Sequence, residues 1–343
     1  MKKAKLTVGV LGLRMGKLHL EAAIAYGAKV GAVCDPDPEK LKIVQDELKV
    51  PKKKCFTDWH DVVNCKEVDA VIIASPDMAH REQVEACLAA GKHVMCEKPL
   101  ALTHEDLEAI VRMVNTHPEC KFMVGQICRF TPAFVKAKEL VDAGRIGELY
   151  FVESEYAHDY RKMFEGDEVN WRAHPDRNGV VGGGCHAVDL LRWIVGSDPI
   201  ECFGYGTHKM LPKVPYDDAN IAVMKFPNEI MGKVFVSTGC KRNYTMRTLL
   251  YGTKGTLIFD NKSPTMQLFE AQEDGSGAGT PQEIEVTLAD HNAAAEFAYF
   301  AKMVEGSVPN VMPVEEGAKT VAACLAIVES TKTGKPEVPN YQF

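Results

Sequence analysis

The chain has no apolar run long enough to cross a bilayer. Its longest candidates, such as Val71–Ala74, are strand-length, far short of the roughly 18 residues that a span requires. It has no Cys-x-x-Cys pair either, although it carries 11 cysteines. An odd, scattered set excludes a zinc knuckle or a disulfide framework, both of which need paired spacing, and fits reduced, mostly buried thiols in a cytoplasm. There is no excess of positive charge. Lys plus Arg number 40 against 47 Asp plus Glu, a net charge of -7, which removes the basic field that a general nucleic-acid binder needs but leaves room for a local anion site. Internal repeats and low-complexity tracts are also missing, and 46% apolar with 25% charged residues is an ordinary globular composition. The charged start Met1–Lys5 with the short run Leu6–Leu11 imitates a signal peptide, but the run is too brief and passes straight into a glycine turn.

What is present is enough chain for about two domains: 343 residues. From residue 5 to about 130, short β-branched runs alternate with helical segments, as in βαβ units on a parallel sheet. The strand candidates are Leu6–Leu11, Lys29–Cys34, Ala70–Ala74, His93–Cys96 and Lys121–Gly125. Helices are expected over Lys17–Tyr26 and Met78–Ala90, and from a capping box at Thr103–Asp106 to about Asn115. From about 148, strand-like runs follow one another with only turns between them, which implies an antiparallel sheet. Glu273–Pro281 reads as a mobile glycine-rich loop, and two helices close the chain over Ala293–Glu305 and Glu315–Thr333. The predicted division is 1–125 for a dinucleotide-binding domain and 126–343 for a substrate-binding and oligomerisation domain.

The first strand-turn-helix carries Gly12-Leu13-Arg14-Met15-Gly16, glycines spaced G-x-x-x-G, one residue short of the usual dinucleotide fingerprint. Glycines let the backbone approach a pyrophosphate while the next helix turns its unpaired N–H groups toward the charge. An ordinary tight strand-helix turn would look much the same. Asp35, at the end of the second strand, suits ribose hydroxyls and repels a 2'-phosphate, which favours NAD over NADP, although the Arg14 guanidinium could reach a phosphate. Its plainer role is a turn or helix-cap acid before proline. Ser75, Pro76 and His80 lie where the third strand candidate ends, bordering the ligand crevice of a doubly wound sheet. At the end of the fourth, Glu97-Lys98-Pro99 points an acid and a lysine at the same crevice, and a desolvated lysine can bind or deprotonate a substrate hydroxyl.

Glu97-Lys98-Pro99 after Gly91-Lys92-His93-Val94, the Ser75-Pro76-Asp77 turn, Arg129-Phe130 with Pro132, Gly144-Arg145-Ile146-Gly147, His186-x-x-Asp189 and Tyr251-Gly252-Thr253-Lys254-Gly255 occur in an order that resembles the Gfo/Idh/MocA family of NAD(P)-dependent oxidoreductases. The resemblance spans almost the whole chain. It implies an α/β protein: an N-terminal Rossmann domain with a doubly wound parallel sheet, then a C-terminal α/β domain on an open, mainly antiparallel sheet. It implies oxidation of a ring hydroxyl of a sugar or cyclitol, or reduction of the ketone. Lys98 would bind and polarise the reacting oxygen, and His186 would act as acid/base, a task suited to an imidazole. Many relatives carry an aspartate four residues before that histidine, where this chain has Gly182, so its proton relay must differ.

Around these, Arg129, His158, Asp159, Tyr160, Arg161, Trp171, Arg172 and Asp189 are the remaining substrate-side candidates, with Asp189 read as orienting or structural. Rings for the apolar face of a sugar and forked donors for its hydroxyls suit such a site, although the stretch 158–172 also reads as a solvated connection. The cofactor set is Gly12, Leu13, Arg14, Met15, Gly16, Asp35, Ser75, Pro76, His80, Glu97 and Lys98, with no metal. Two other functions keep the same fold: elimination of a glycosidic leaving group assisted by a retained NAD, and a non-catalytic NAD-binding regulator. A homodimer or homotetramer is expected, with no nucleic-acid or membrane partner.

Overall fold

A computed structural model describes residues 6–164, 170–272, 277, 279–289 and 291–343. Of the Glu273–Pro281 loop, residues 273–276 and 278 lie outside the described residues, as does Met1–Lys5. The chain separates into two compact units: the chain up to Ile127 with Asn292–Ala318 and Gln342–Phe343, and Cys128–His291 with Lys319–Tyr341. A single cut at 125/126 would place 292–318 in the second unit.

The first unit runs β1 (Thr7–Leu11), α1 (Gly16–Tyr26), β2 (Lys29–Cys34), α2 (Pro38–Leu48), β3 (Cys55–Phe56), α3 (Trp59–Val63), β4 (Ala70–Ile73), α4 (His80–Ala89), β5 (His93–Glu97), α5 (His104–Thr116) and β6 (Phe122–Gly125). The strands form one parallel sheet in the order β3-β2-β1-β4-β5-β6. In β4 every residue is buried, the continuous apolar run of a parallel strand covered on both faces. Helix starts are set locally. Thr103 caps α5 by accepting the Asp106 amide at 3.2 Å, and its hydroxyl donates to the Asp106 carboxylate at 2.9 Å. Before α4 the chain makes a 3-10 turn over Asp77–Ala79, so the alanine-rich helix begins two residues later than its composition suggests.

The second unit holds α6 (Pro132–Asp142), β7 (Leu149–Ala157), α7 (Cys185–Val195), β8 (Glu201–Thr207), β9 (Ala219–Lys225), β10 (Met231–Ser237), β11 (Thr248–Gly252), β12 (Gly255–Phe259), β13 (Thr265–Glu270) and β14 (Gln282–Glu285). Its sheet has the order β14-β13-β12-β11-β7-β10-β9-β8 and is antiparallel except where β7 pairs with β10. Alternation along β9, where Asn220, Ala222 and Met224 are buried and Ile221 and Val223 exposed, gives the sheet one covered and one open face. Helix α7 packs on the covered face against β7 and β10.

Two helices follow β14. Helix α8 (Ala293–Val304) returns to the first unit and packs against α1. The division between units falls within α9 (Val314–Thr333). Among the described residues no helix is long and apolar enough to cross a membrane.

Candidate active site

In the first unit the nucleotide half begins where β1 ends. Gly12 has φ of +80° and its amide donates to the Cys34 carbonyl at 2.8 Å. A Cβ there would stand 2.5 Å from the Ala74 carbonyl oxygen, so only glycine brings the backbone this close to the β4 turn. Helix α1 then starts at Gly16 with Met15 in the cap position and no side-chain cap hydrogen bond. Its first amides are therefore left for an anion. Arg14 is exposed and Met15 half-buried.

Asp35 follows β2, buried at 2% exposure, and accepts from Leu13 N at 2.7 Å and Asp37 N at 3.0 Å, with Lys40 Nζ at 3.5 Å. These donors leave part of the roughly four acceptor positions of a carboxylate for ribose hydroxyls. The cap of α2 is Asp37, which accepts from Glu39 N, so Asp35 is not needed in that role. A close glycine turn, uncapped amides and an oriented acid fit a dinucleotide of NAD type.

The next two strand ends are arranged differently from the sequence reading. Ser75 Oγ donates to Gln83 Oε1 at 2.5 Å, with Pro76 half-buried beside it. His80, expected at the nucleotide, is fully buried with its ring nitrogens 2.9 Å from the Pro99 carbonyl and 3.2 Å from that of Ser75. It clamps the β4 turn to the β5 turn. Glu97, also expected there, is buried in an ion pair with His19 of α1, Oε1 to Nε2 at 2.7 Å, and its Oε2 accepts from Lys98 N at 3.0 Å. Burial alone raises its pKa, but the His19 hydrogen bond and charge outweigh that and hold the carboxyl down at about 2. Lys98 is half-buried, and its peptide bond to Pro99 is cis. His19 was missed because its partner lies 78 positions away, although its place three residues after Gly16 puts it on the first turn of α1.

In the second unit, His186 sits in the first turn of α7, after a π-helical turn over Val180–Gly184. It is 1% exposed, and its Nδ1 lies 3.3 Å from Cys128 Sγ. Tyr156 stacks near its ring at 6.0 Å, and His291 meets it edge-on at 6.1 Å. The Tyr156 hydroxyl contacts His158 Nδ1 at 3.0 Å and the Tyr160 hydroxyl at 2.8 Å, while Tyr244 packs on Tyr156, His158 and His291. Burial pushes the Tyr156 phenol far above its ordinary range, so it stays a neutral donor. Thus the structure gathers three predicted residues, His158, Tyr160 and His186, with four that the sequence did not flag: Cys128, Tyr156, Tyr244 and His291. Only Tyr156 left a signal, standing two residues from His158 at the end of β7.

The glycines before His186 have a steric reason. A Cβ on Gly183 would stand 2.5 Å from Tyr156 Cε1 and 2.8 Å from the Tyr160 hydroxyl, and one on Gly182 would overlap the guanidinium of Arg177. Arg177, also missed, is buried against the Trp171 ring at 4.9 Å, with Arg172 at 4.1 Å from the same ring. The Tyr216 hydroxyl donates to the Arg172 carbonyl at 2.7 Å. Asp159 and Arg161 pair with each other, Nε to Oδ1 at 2.8 Å, and that hydrogen bonding holds the partly exposed Asp159 carboxyl down at about 2. Arg129, expected on the substrate side, and Asp189, read as orienting or structural, form a buried bidentate ion pair.

These features define an NAD-binding oxidoreductase of the Rossmann class. Residues 6–126 match the model of an oxidoreductase family with an NAD-binding Rossmann fold, and residues 134–258 match the GFO/IDH/MocA C-terminal domain. The chain belongs to the Gfo/Idh/MocA family. Inositol 2-dehydrogenase 2 from Saccharopolyspora erythraea is 28% identical over 272 residues, 78% of this chain and 77% of its own length. The crystal structure of scyllo-inositol dehydrogenase from Lactobacillus casei, with bound NAD(H) and scyllo-inositol, matches with a TM-score of 0.78 at 25% identity, covering 98% of this chain and 99% of that one. An oxidoreductase domain protein from Kribbella flavida shares the fold, with a TM-score of 0.86 at 24% identity over 98% and 100% of the two chains.

Proposed function

We propose that this enzyme oxidises a secondary hydroxyl of a sugar, sugar derivative or cyclitol with NAD, or reduces the corresponding ketone. The observation that carries the reading is the buried imidazole of His186 with a sulfur partner on Nδ1 and a surround of tyrosine and histidine rings. Aromatic faces and hydroxyl donors suit a polyol ring, and the inositol dehydrogenases among its relatives point to the same substrates.

NAD, when bound, supplies the hydride acceptor, held by the Gly12–Gly16 turn and Asp35. Lys98 Nζ polarises the reacting oxygen with its positive charge, and His186 Nε2 takes the hydroxyl proton as the carbonyl forms. The Cys128 contact at Nδ1 orients the ring for that transfer. With Gly182 in the turn before His186, no carboxylate at that position assists it, and the hydroxyl of Tyr156, whose ring stacks on His186, is joined to that of Tyr160.

We further propose assembly as a homodimer or homotetramer and a reducing cytoplasm, to which 11 cysteines outside any disulfide are suited.

The test is turnover of a panel of inositols, free sugars and glycosides, following product and absorbance of NADH together. Oxidation with matched NADH formation is expected, as is a loss on the order of 10²–10⁴-fold in Lys98→Ala and in His186→Ala. Glycoside cleavage without net NADH would replace the reading with elimination by a retained cofactor. A fully active Lys98→Ala would remove the catalytic assignment.

A further inference from the structure

Behind Lys98, the first unit buries three ionisable side chains in one row. Glu97 at the end of β5 pairs with His19 of α1 at 2.7 Å, and on the other side of that imidazole Nδ1 stands 3.9 Å from Oε2 of Glu296 on α8. Both His19 and Glu296 are 0% exposed. Among the described residues neither oxygen of Glu296 has a hydrogen-bond partner, and His19 Nδ1 has none. A buried, unsatisfied carboxyl is costly, and a leucine or glutamine would fit a helix-packing face at less expense. Its retention needs a reason.

The charged groups that face Glu296 are His19 from α1, Glu97 from β5 and Lys98 just beyond it. Burial is the largest influence and raises the Glu296 pKa, His19 opposes it, and Glu97 adds to it, giving about 8. For His19, burial disfavours the charged ring, but the Glu97 hydrogen bond and charge outweigh it and raise its pKa. Near neutrality the row therefore holds a Glu97 carboxylate and a protonated Glu296, with the His19 ring between them biased toward its charged form by Glu97. Loss of the Glu296 proton leaves the His19 ring between two carboxylates, which favour a ring that donates from Nε2 to Glu97 and turns Nδ1–H toward Glu296. One elementary negative charge then appears in the interior.

We propose that Glu296 is a positioning residue for Lys98: with His19 and Glu97 it forms an acid–imidazole–acid unit that gains or loses one proton and so sets the charge felt by the Lys98 ammonium. The proposal rests on the assignment of Lys98 to the reacting oxygen. With Glu296 protonated, Lys98 faces one compensated ion pair and gives up its own proton more readily. With Glu296 ionised, Lys98 holds its proton to higher pH.

Two measurements on the protein without substrate test this. Infrared spectra across pH 6 to pH 10 read the carboxylic C=O stretch of a buried protonated acid. The band is expected in the parent, fading around the Glu296 midpoint, and absent from Glu296→Gln. Competitive labelling of lysines with acetic anhydride, read by mass spectrometry, gives the titration of Lys98. Its midpoint is expected to fall in Glu296→Gln by about one pH unit or more, since a single charge even roughly 12 Å away at an effective dielectric of about 20 moves a pKa by about one unit. Glu296→Asp, which restores an ionisable carboxyl, should recover part of that shift. A parent spectrum without the band, or Lys98 curves that coincide in parent and variant, overturns the proposal. Should Glu296→Gln fail to fold, the parent spectrum and the Lys98 curve of His19→Gln decide the matter. A wrong catalytic reading would show instead as an active Lys98→Ala, an outcome that leaves both measurements standing.

Discussion

The guanidinium of Arg129 grips both oxygens of Asp189, Nε to Oδ2 at 2.9 Å and Nη2 to Oδ1 at 2.8 Å, in a place where the carboxylate is fully buried. Thr320 donates a further hydrogen bond to Oδ1 at 2.8 Å, and Arg192 Nη1 lies 3.7 Å from it. Burial raises the pKa of Asp189, but the Arg129 charge and hydrogen bonds overcome this and lower it. Such a carboxylate joins α7 to the start of the second unit and has little left to offer a substrate.

Removing one member of a buried pair leaves the other charge uncompensated, at a typical cost of about 3–5 kcal/mol. Asp189→Ala should lose stability of that order in urea denaturation, and Arg129→Met combined with Asp189→Leu should regain part of it. A change within the noise of the measurement would show that the pair does not hold the unit together.

Asp35 is oriented by the Leu13 and Asp37 amides, so its carboxylate is already aimed before any ligand arrives. Charge-assisted hydrogen bonds contribute about 1.5–3 kcal/mol, so Asp35→Ala should weaken NAD binding roughly 10- to 100-fold in calorimetry. The preference over NADP should narrow, because the repulsion of a 2'-phosphate goes with the acid. Equal NAD affinity in parent and variant would remove Asp35 from the cofactor site.

The buried Glu296 also makes a prediction about stability. Burial pushes its carboxyl up to about 8, well above the ordinary carboxylate range, so the folded state keeps a proton that the unfolded chain has released. That contribution is complete below the unfolded pKa and is lost as pH rises toward and through the folded one. Glu296→Gln cannot lose it. Between pH 5 and pH 8 the melting temperature of the parent should therefore fall relative to that of the variant, and parallel curves in thermal scans would contradict this titration.

The open face of the eight-stranded sheet carries Phe203 and Tyr205 on β8, Ile221 and Val223 on β9, and Phe235 on β10, which are cross-strand neighbours. Tyr205 is 66% and Val223 53% exposed. Contiguous apolar surface of this kind is what the proposed assembly would cover. Sedimentation velocity should show an oligomer in the parent, and Tyr205→Glu with Val223→Lys should dissociate it. A monomeric parent would overturn the assembly.

Much of the nucleotide half could be read along the chain because its chemistry is local. Gly12, Gly16 and Asp35 act through backbone turns and strand ends, whose position follows from hydrophobic periodicity and glycine spacing. The plain runs of the parallel sheet and the alternating strands of the second unit announced their faces in the same way. Residues with a single plausible local job, such as Thr103, were equally legible.

The amino-acid order by itself therefore determined the two sheets and the close glycine turn after β1. Tertiary structure alone decided what surrounds them. His80 became a clamp between two carbonyls, Glu97 found His19 on α1, whose other ring nitrogen faces Glu296 on α8, and Arg129 closed on Asp189 in a buried ion pair. Buried polar groups are satisfied by whichever partner the packing brings within hydrogen-bond reach, and for His80, Glu97 and Arg129 that partner lies 19, 78 and 60 positions away in the chain. A linear pattern carries no record of such distances, so only the folded chain could settle those roles.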